Sequence, residues 1–280
     1  MKKKVALLYH GQVGIKNRHG NIVDFQRSFT NHKNTIINNK TCEVDIFMHM
    51  WETPKEKDVL SVFKPKRWIS KPQIDFKMGQ KYSSFLKNNK REIKLHNLKY
   101  SFMYGLKESI QLMRQEEKES GLNYDFAIKT RYDNLIGWKF DFNQLNPNSF
   151  YTHEFNKRKN NHNPNTPSIL DLFWVSSPDN IEKISSCYEA LENYMENPKF
   201  TSVWDTSFEE MWTWHLKQIN IYNKVKWLDW IKNPITLDRF FSKKSYTHIS
   251  CSPFTGWKNQ NKYSEKNKKI MENSIYKFLK

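Results

Sequence analysis

Val5 to Tyr9 (VALLY) is apolar at every position and runs straight into His10-Gly11-Gln12, and the same device returns twice more. Val44 to Met50 (VDIFMHM) and Tyr124 to Ile128 (YDFAI) are likewise short, largely apolar runs that close on polar residues. Runs of this length and composition suit buried strands. Between the last two lies a segment in which Leu98, Phe102, Leu106, Ile110 and Met113 step by four, four, four and three. That spacing places all five on one helical face, and Gly121 stands where such a helix would stop. Strand, helix, strand at this spacing predicts an α/β fold, a mainly parallel sheet flanked by helices. Ile22, Phe25, Phe29, Ile36 and Ile37 add an earlier helical segment, and Arg67 to Ser70 a short third strand.

The second half is less regular. Asn160 to Pro167 (NNHNPNTP) is turn-rich and is the one internal boundary the sequence suggests. Ile169 to Val175 (ILDLFWV) reads as a strand. Ser177-Pro178-Asp179 has the order of a helix start: a capping hydroxyl, proline in the first turn, then an acid. Ile181, Ile184, Tyr188, Leu191 and Tyr194 supply that helix with a buried face. A further helix begins near Ser207, with Phe208, Met211, Trp212, His215 and Ile219 on one side. Residues 258–280 form a lysine-rich helical extension to a single domain over 1–257. Its Ile270, Met271, Ile275 and Phe278 suit either packing on the domain or contact with an anionic membrane.

The formal charge of +17 fits phosphate-bearing small molecules, nucleic acid or an anionic surface, although Lys and Asn are abundant throughout. Cys42, Cys187 and Cys251 are isolated thiols, which argues against a disulfide scaffold or a structural zinc site and fits a reducing, cytoplasmic compartment. The N-terminal MKKKVALLYHG lacks the longer apolar stretch of a secretory signal, so any membrane contact is expected to be peripheral. No GxGxxG, Walker A, G-x-S-x-G or HExxH pattern occurs, which disfavours dinucleotide oxidoreductases, P-loop kinases, serine hydrolases and zinc peptidases.

In a parallel α/β sheet, ligands bind beyond the carboxyl ends of the strands. That rule selects His10-Gly11-Gln12, His49 to Glu52, and Lys129 to Asn134 before any motif is considered. Within the last group Arg131 and Asp133 are spaced i, i+2, so on an extended strand their side chains share a side. A cation beside a carboxylate can serve a diphosphate and its metal; the same spacing also serves a salt-bridged pair at a strand end. Asp125 lies eight residues away, roughly 26 Å along a strand, so no two-carboxylate DxD element is present. A divalent cation, Mn²⁺ or Mg²⁺, would need Asp133 together with phosphate oxygens or another ligand, for which His248 is the candidate. Glu209 opens the Ser207 helix as a candidate general base, while Glu210 fits a capping box with Ser207. Asp171, a charge inside an apolar run, is the second catalytic candidate.

The ordered blocks KVALLYHGQ, VDIFMHMWE, YDFAIKTRYDNLI, DLFWVSSPDNIEKI and SFEEMWTWHL, over about residues 4 to 220, resemble bacterial and viral GT-A-like glycosyltransferases, most nearly the WavE-like lipopolysaccharide-synthesis proteins. The resemblance implies a Rossmann-like GT-A domain that binds a nucleotide-sugar donor and a glycan or glycolipid acceptor. It implies that Arg131 and Asp133 contact the donor diphosphate and metal, and that Gly11 and Gln12 lie against the nucleotide. It places Asp171 on the acceptor side and Glu209 near the reacting hydroxyl. Related sequences often carry an arginine just after the Gly-Gln; here Val13 and Gly14 stand there, with Lys16 or Arg18 as substitutes. The expected activity is sugar transfer to a surface polysaccharide or lipopolysaccharide. Its rivals are a sugar-phosphate transferase on a similar scaffold and a basic nucleic-acid-binding protein using its charge and tryptophans. The second rival is disfavoured because the helical aromatics fall on apolar faces and no RNP-like or zinc-finger motif is present.

Overall fold

Strand β1 (Lys3–Tyr9) buries every side chain from Val5 onward. Val5, Leu7 and Tyr9 enter one core while Ala6 and Leu8 enter another. The pleat alternates sides as always, but both sides are covered, so VALLY shows no polar face. The structure, a computed structural model, describes residues 2–15, 24–76, 90–155, 167–195, 208–230, 232–237 and 265–279.

After β1 come α1 (Gln26–His32) with a π-helical turn (Lys33–Ile37), β2 (Cys42–Trp51), α2 (Glu56–Phe63), β3 (Arg67–Lys71) and the long α3 (Lys90–Ser120). Next are β4 (Phe126–Thr130), β5 (Asn134–Ile136), β6 (Phe150–Phe155), β7 (Ser168–Ile169) and β8 (Trp174–Ser176). The chain continues through α4 (Pro178–Ser185), α5 (Cys187–Met195), α6 (Phe208–Gln218), β9 (Val225–Leu228), β10 (Ile235–Leu237) and α7 (Glu265–Tyr276).

Among the described residues eight strands form one sheet in the order β3-β2-β1-β4-β8-β6-β7, with β9 also paired to β6. β3, β2, β1 and β4 run parallel, whereas β8 is antiparallel to both β4 and β6. β5 and β10 make a separate antiparallel pair. The result is an α/β fold with a mainly parallel, mixed sheet flanked by helices, compatible with a Rossmann-like fold. Phe25, Ile36, Val59 and Phe63 bring α1, its π turn and α2 onto one face. Met103, Leu106, Ile110, Ile181, Leu191 and Trp212 bring α3 to α6 onto the other.

Local signals explain most boundaries. Gly121 ends α3 at φ +70°, its N–H donating to the Glu117 carbonyl at 3.0 Å. The Ser177 hydroxyl caps α4, accepting from the Asn180 N–H at 3.3 Å. Three expectations need correction. Leu98 faces solvent, and Met103 fills the core position on α3 instead. The helix expected to run on from Ser177 is two helices. The Ser185 and Ser186 hydroxyls at the break donate to the carbonyls three residues back, at 2.7 and 2.6 Å. Ile169 to Val175 is not one strand either: β7 ends at Ile169, a bend follows, and β8 starts at Trp174.

Helix α7 turns Met271 and Ile275 inward, Ile275 packing with Leu135, while Lys266, Lys269 and Ile270 face outward. The turn-rich boundary at Asn160 to Pro167 falls almost entirely outside the described residues. No described helix is long and apolar enough to cross a membrane.

Candidate active site

β4 stops where its neighbour stops. The last rung between them pairs Tyr9 with Thr130. Beyond it β1 reaches Gly11, whose φ of +108° lies in the region glycine adopts readily. The turn lets the Gly11 carbonyl accept from the Trp51 N–H at 3.3 Å, tying the ends of β1 and β2 together. Past Thr130 the chain turns so that the Tyr132 ring enters the core, stacked on Tyr9 at 5.3 Å with its hydroxyl donating to the His49 carbonyl at 2.9 Å. The Ser28 hydroxyl donates to the Tyr132 carbonyl and holds the turn from below.

Arg131 and Asp133 therefore do not lie side by side on an extended strand, as their spacing suggests. They flank a buried tyrosine in a turn beyond it, and the turn brings them into direct contact. Arg131 Nε donates to Asp133 Oδ1 at 2.9 Å and Nη2 to Oδ2 at 3.3 Å. The arginine side chain stays 28% exposed while the aspartate is 5% exposed, so the guanidinium is the outer member of the pair. Asp125 sits at the other end of β4, accepting from the Lys4 N–H at 2.8 Å.

The centre of the site is Lys129, fully buried at the end of β4. Its Nζ donates to the Asp171 carbonyl and lies 4.5 Å from the Phe102 ring centre and 4.6 Å from that of Trp174. Burial pushes its pKa down to about 7; Asp171 opposes this, Arg131 reinforces it, and Asp133 and Glu209 oppose it. Four residues singled out by sequence thus converge electrostatically on one buried amine. Sequence reasoning gave that amine no role. A charge inside an apolar run needs a partner, and Lys129 in FAIKT meets that description better than Asp171 does.

Asp171 lies in the bend between β7 and β8 and is half-buried, so it is not a charge trapped in a strand. Glu209 is half-buried in the first turn of α6, its carbonyl accepting from the Thr213 hydroxyl at 2.6 Å. Gln12 is exposed after Gly11. His248, Lys16, Arg18 and the capping residue Ser207 fall outside the described residues.

Two histidines complete the floor. His10, just past β1, and His49, within β2, are buried, and their ring nitrogens have no hydrogen-bond partner among the described residues. Both face Gly105 of α3, where a Cβ would lie 2.9 Å from His49 Nδ1 and 3.4 Å from His10 Cβ. Burial, then Lys129, His49 and Arg131, hold the His10 pKa well below its ordinary value, and burial pushes that of His49 down to about 4. These rings are neutral donor-acceptors at pH 7. At the β3 edge of the sheet an open depression of about 600 Å³ is lined by Glu52, Thr53, Pro54, Glu56, Trp68 and Ser70, the last two on the face opposite His49. Trp68 is 43% exposed there, and the buried Ser70 hydroxyl has no partner among the described residues. A larger groove of about 740 Å³, between the loop after β5 and α7, contains none of the candidate residues.

Among the described residues the donors around Asp133 do not make up a divalent-metal site, and His248, the other expected ligand, lies outside them. Both carboxylate oxygens accept from Arg131, and no group of three His, Cys, Asp or Glu able to hold a metal occurs among the described residues. What the arrangement offers is an anion cradle with one half-buried guanidinium, a buried amine, neutral imidazoles and a half-buried carboxylate, Glu209.

No model of a known protein family matches the chain. No curated protein shows a significant match to it either.

Proposed function

We propose that the chain is a GT-A-like glycosyltransferase that moves a sugar from a nucleotide-sugar donor to a hydroxyl of a surface polysaccharide or lipopolysaccharide. The observation that carries this reading is the Arg131–Asp133 pair beside the buried Lys129, whose Nζ donates to the Asp171 carbonyl, at the carboxyl end of β4. Crevices beyond parallel strand ends are where α/β sheets bind their ligands. The order of blocks that resembles WavE-like proteins supplies the reaction class.

In this reading the diphosphate lies against Arg131, with Gly11 and Gln12 beside the nucleotide. The exposed face of Trp68 offers the base a stacking surface. The acceptor enters past Asp171. Its hydroxyl oxygen attacks the anomeric carbon, the bond from that carbon to the diphosphate oxygen breaks, and Glu209 takes the hydroxyl proton. Attack from the face opposite the leaving group inverts the anomeric centre. Arg131 meets the charge that develops on the departing diphosphate, a fixed donor in place before the reaction begins. Cytoplasmic placement, peripheral to an anionic membrane, belongs to the same proposal.

The rival reading as a nucleic-acid-binding protein needs exposed rings for stacking. Trp51, Trp212 and Trp230, three of its candidates, are buried, which leaves that reading Trp68 and Trp227 as exposed rings among the described residues. A thermal-shift screen of UDP-, GDP-, CMP- and TDP-sugars tests the proposal. Stabilisation by one of these series, with no comparable effect from generic oligonucleotides, is the expected result. Salt-dependent oligonucleotide binding with no response to any nucleotide sugar would remove the glycosyltransferase reading.

A further inference from the structure

We infer that the donor diphosphate is met by Arg131, oriented by Asp133, and not by a divalent metal ion bound to Asp133. This rests on the nucleotide-sugar reading above and reverses the expected role of the aspartate, from metal ligand to positioning residue.

The order of the two side chains from solvent is the first ground. Arg131 is 28% exposed and Asp133 only 5%, so an ion arriving from the crevice meets the guanidinium before the carboxylate. The second is the pairing itself. Nε and Nη2 engage the two carboxylate oxygens separately, at 2.9 and 3.3 Å, the fork geometry in which a planar guanidinium is most firmly held. A metal competing for those lone pairs would weaken both bonds and set a dication next to the guanidinium. The third is charge: a divalent ion at Asp133 would sit against the Arg131 guanidinium, which already engages both carboxylate oxygens, adding like charge to like. Phosphate held by side-chain donors alone needs a guanidinium whose direction is fixed, and Asp133 fixes it.

Calorimetric titration of the intact protein with UDP, GDP and TDP, each in excess EDTA and in saturating Mn²⁺, separates the two roles. At least one diphosphate is expected to bind with a Kd that agrees within about twofold between the two buffers. Asp133→Asn is expected to weaken that diphosphate about tenfold in both, while the parent nucleoside, which has no phosphate, binds as to wild type. A merely structural defect would weaken nucleoside and diphosphate alike and would overturn the positioning role. Tightening by Mn²⁺ of about tenfold or more in the wild-type protein would overturn the inference and leave the glycosyltransferase reading standing. Absence of binding by all three in either buffer would overturn both. The wild-type comparison of EDTA with Mn²⁺ needs no variant, so it distinguishes guanidinium from metal even where Asp133→Asn fails to fold.

Discussion

Lys129 carries its ammonium into a space walled by Phe102 and Trp174, with the Asp171 carbonyl as hydrogen-bond acceptor. Its pKa of about 7 in the folded protein lies below the ordinary lysine value. Between those values the unfolded chain holds the proton and the folded chain does not, so stability rises with pH across that window. The penalty is complete below about pH 7 and fades above it. Lys129→Met, which cannot be protonated, is expected to gain on wild type as pH falls. Urea unfolding at pH 6 and pH 9 should show a relative gain of up to about 3 kcal/mol at the lower pH; a pH-independent difference would contradict the burial argument. The same proton matters for binding. Anions favour the charged form, so diphosphate affinity should weaken above about pH 7, measured as Kd at pH 6.5 and 8.5. Much at this scale was legible: the carboxyl-end rule and the i, i+2 spacing picked out Arg131 and Asp133. The salt-bridged pair that this spacing also allows is present; its place in a turn was not legible, because that depends on Tyr132 turning into the core against Tyr9, a contact between residues 123 apart in sequence.

At the scale of elements, β4 ends at Thr130 because β1, its partner, ends at Tyr9. Composition does not reveal such an end, since YDFAIKTRYD continues with no Gly or Pro. ILDLFWV misled for a related reason. Leu170, Leu172 and Phe173 are all buried, but in a bend, and apolarity reports burial without reporting conformation. The approach of α3 to the strand ends is equally specific. Gly105 gains about 1 kcal/mol of helix propensity when changed to Ala. The new Cβ would nevertheless press on His49 Nδ1 at 2.9 Å and on His10 Cβ at 3.4 Å. Both rings are buried, so Gly105→Ala should lose about 1–3 kcal/mol of stability overall. A stabilised variant in urea titration would show that the two histidines are loosely held. Capping gives a simpler test. Ser177→Ala removes the acceptor for the Asn180 N–H and should cost about 1 kcal/mol, read as a lower urea midpoint at unchanged slope.

Across the whole molecule, the parallel half of the sheet is written in local signals, and the antiparallel half is not. β1, β2 and β4 announce themselves as buried runs, whereas β8 is three residues long and takes its place by pairing with both β4 and β6. That placement brings Trp174 and the Asp171 bend against Lys129 at the strand end. The central claim is that this site transfers sugar from a nucleotide donor through Arg131. Release of nucleoside diphosphate from the nucleotide sugar that most stabilises the protein measures it directly. Wild type and Lys269→Ala, altered on the outer face of α7, should turn over equally, while Arg131→Ala should lose at least about a hundredfold in kcat/KM with its fold intact. Unchanged turnover in Arg131→Ala would contradict the account.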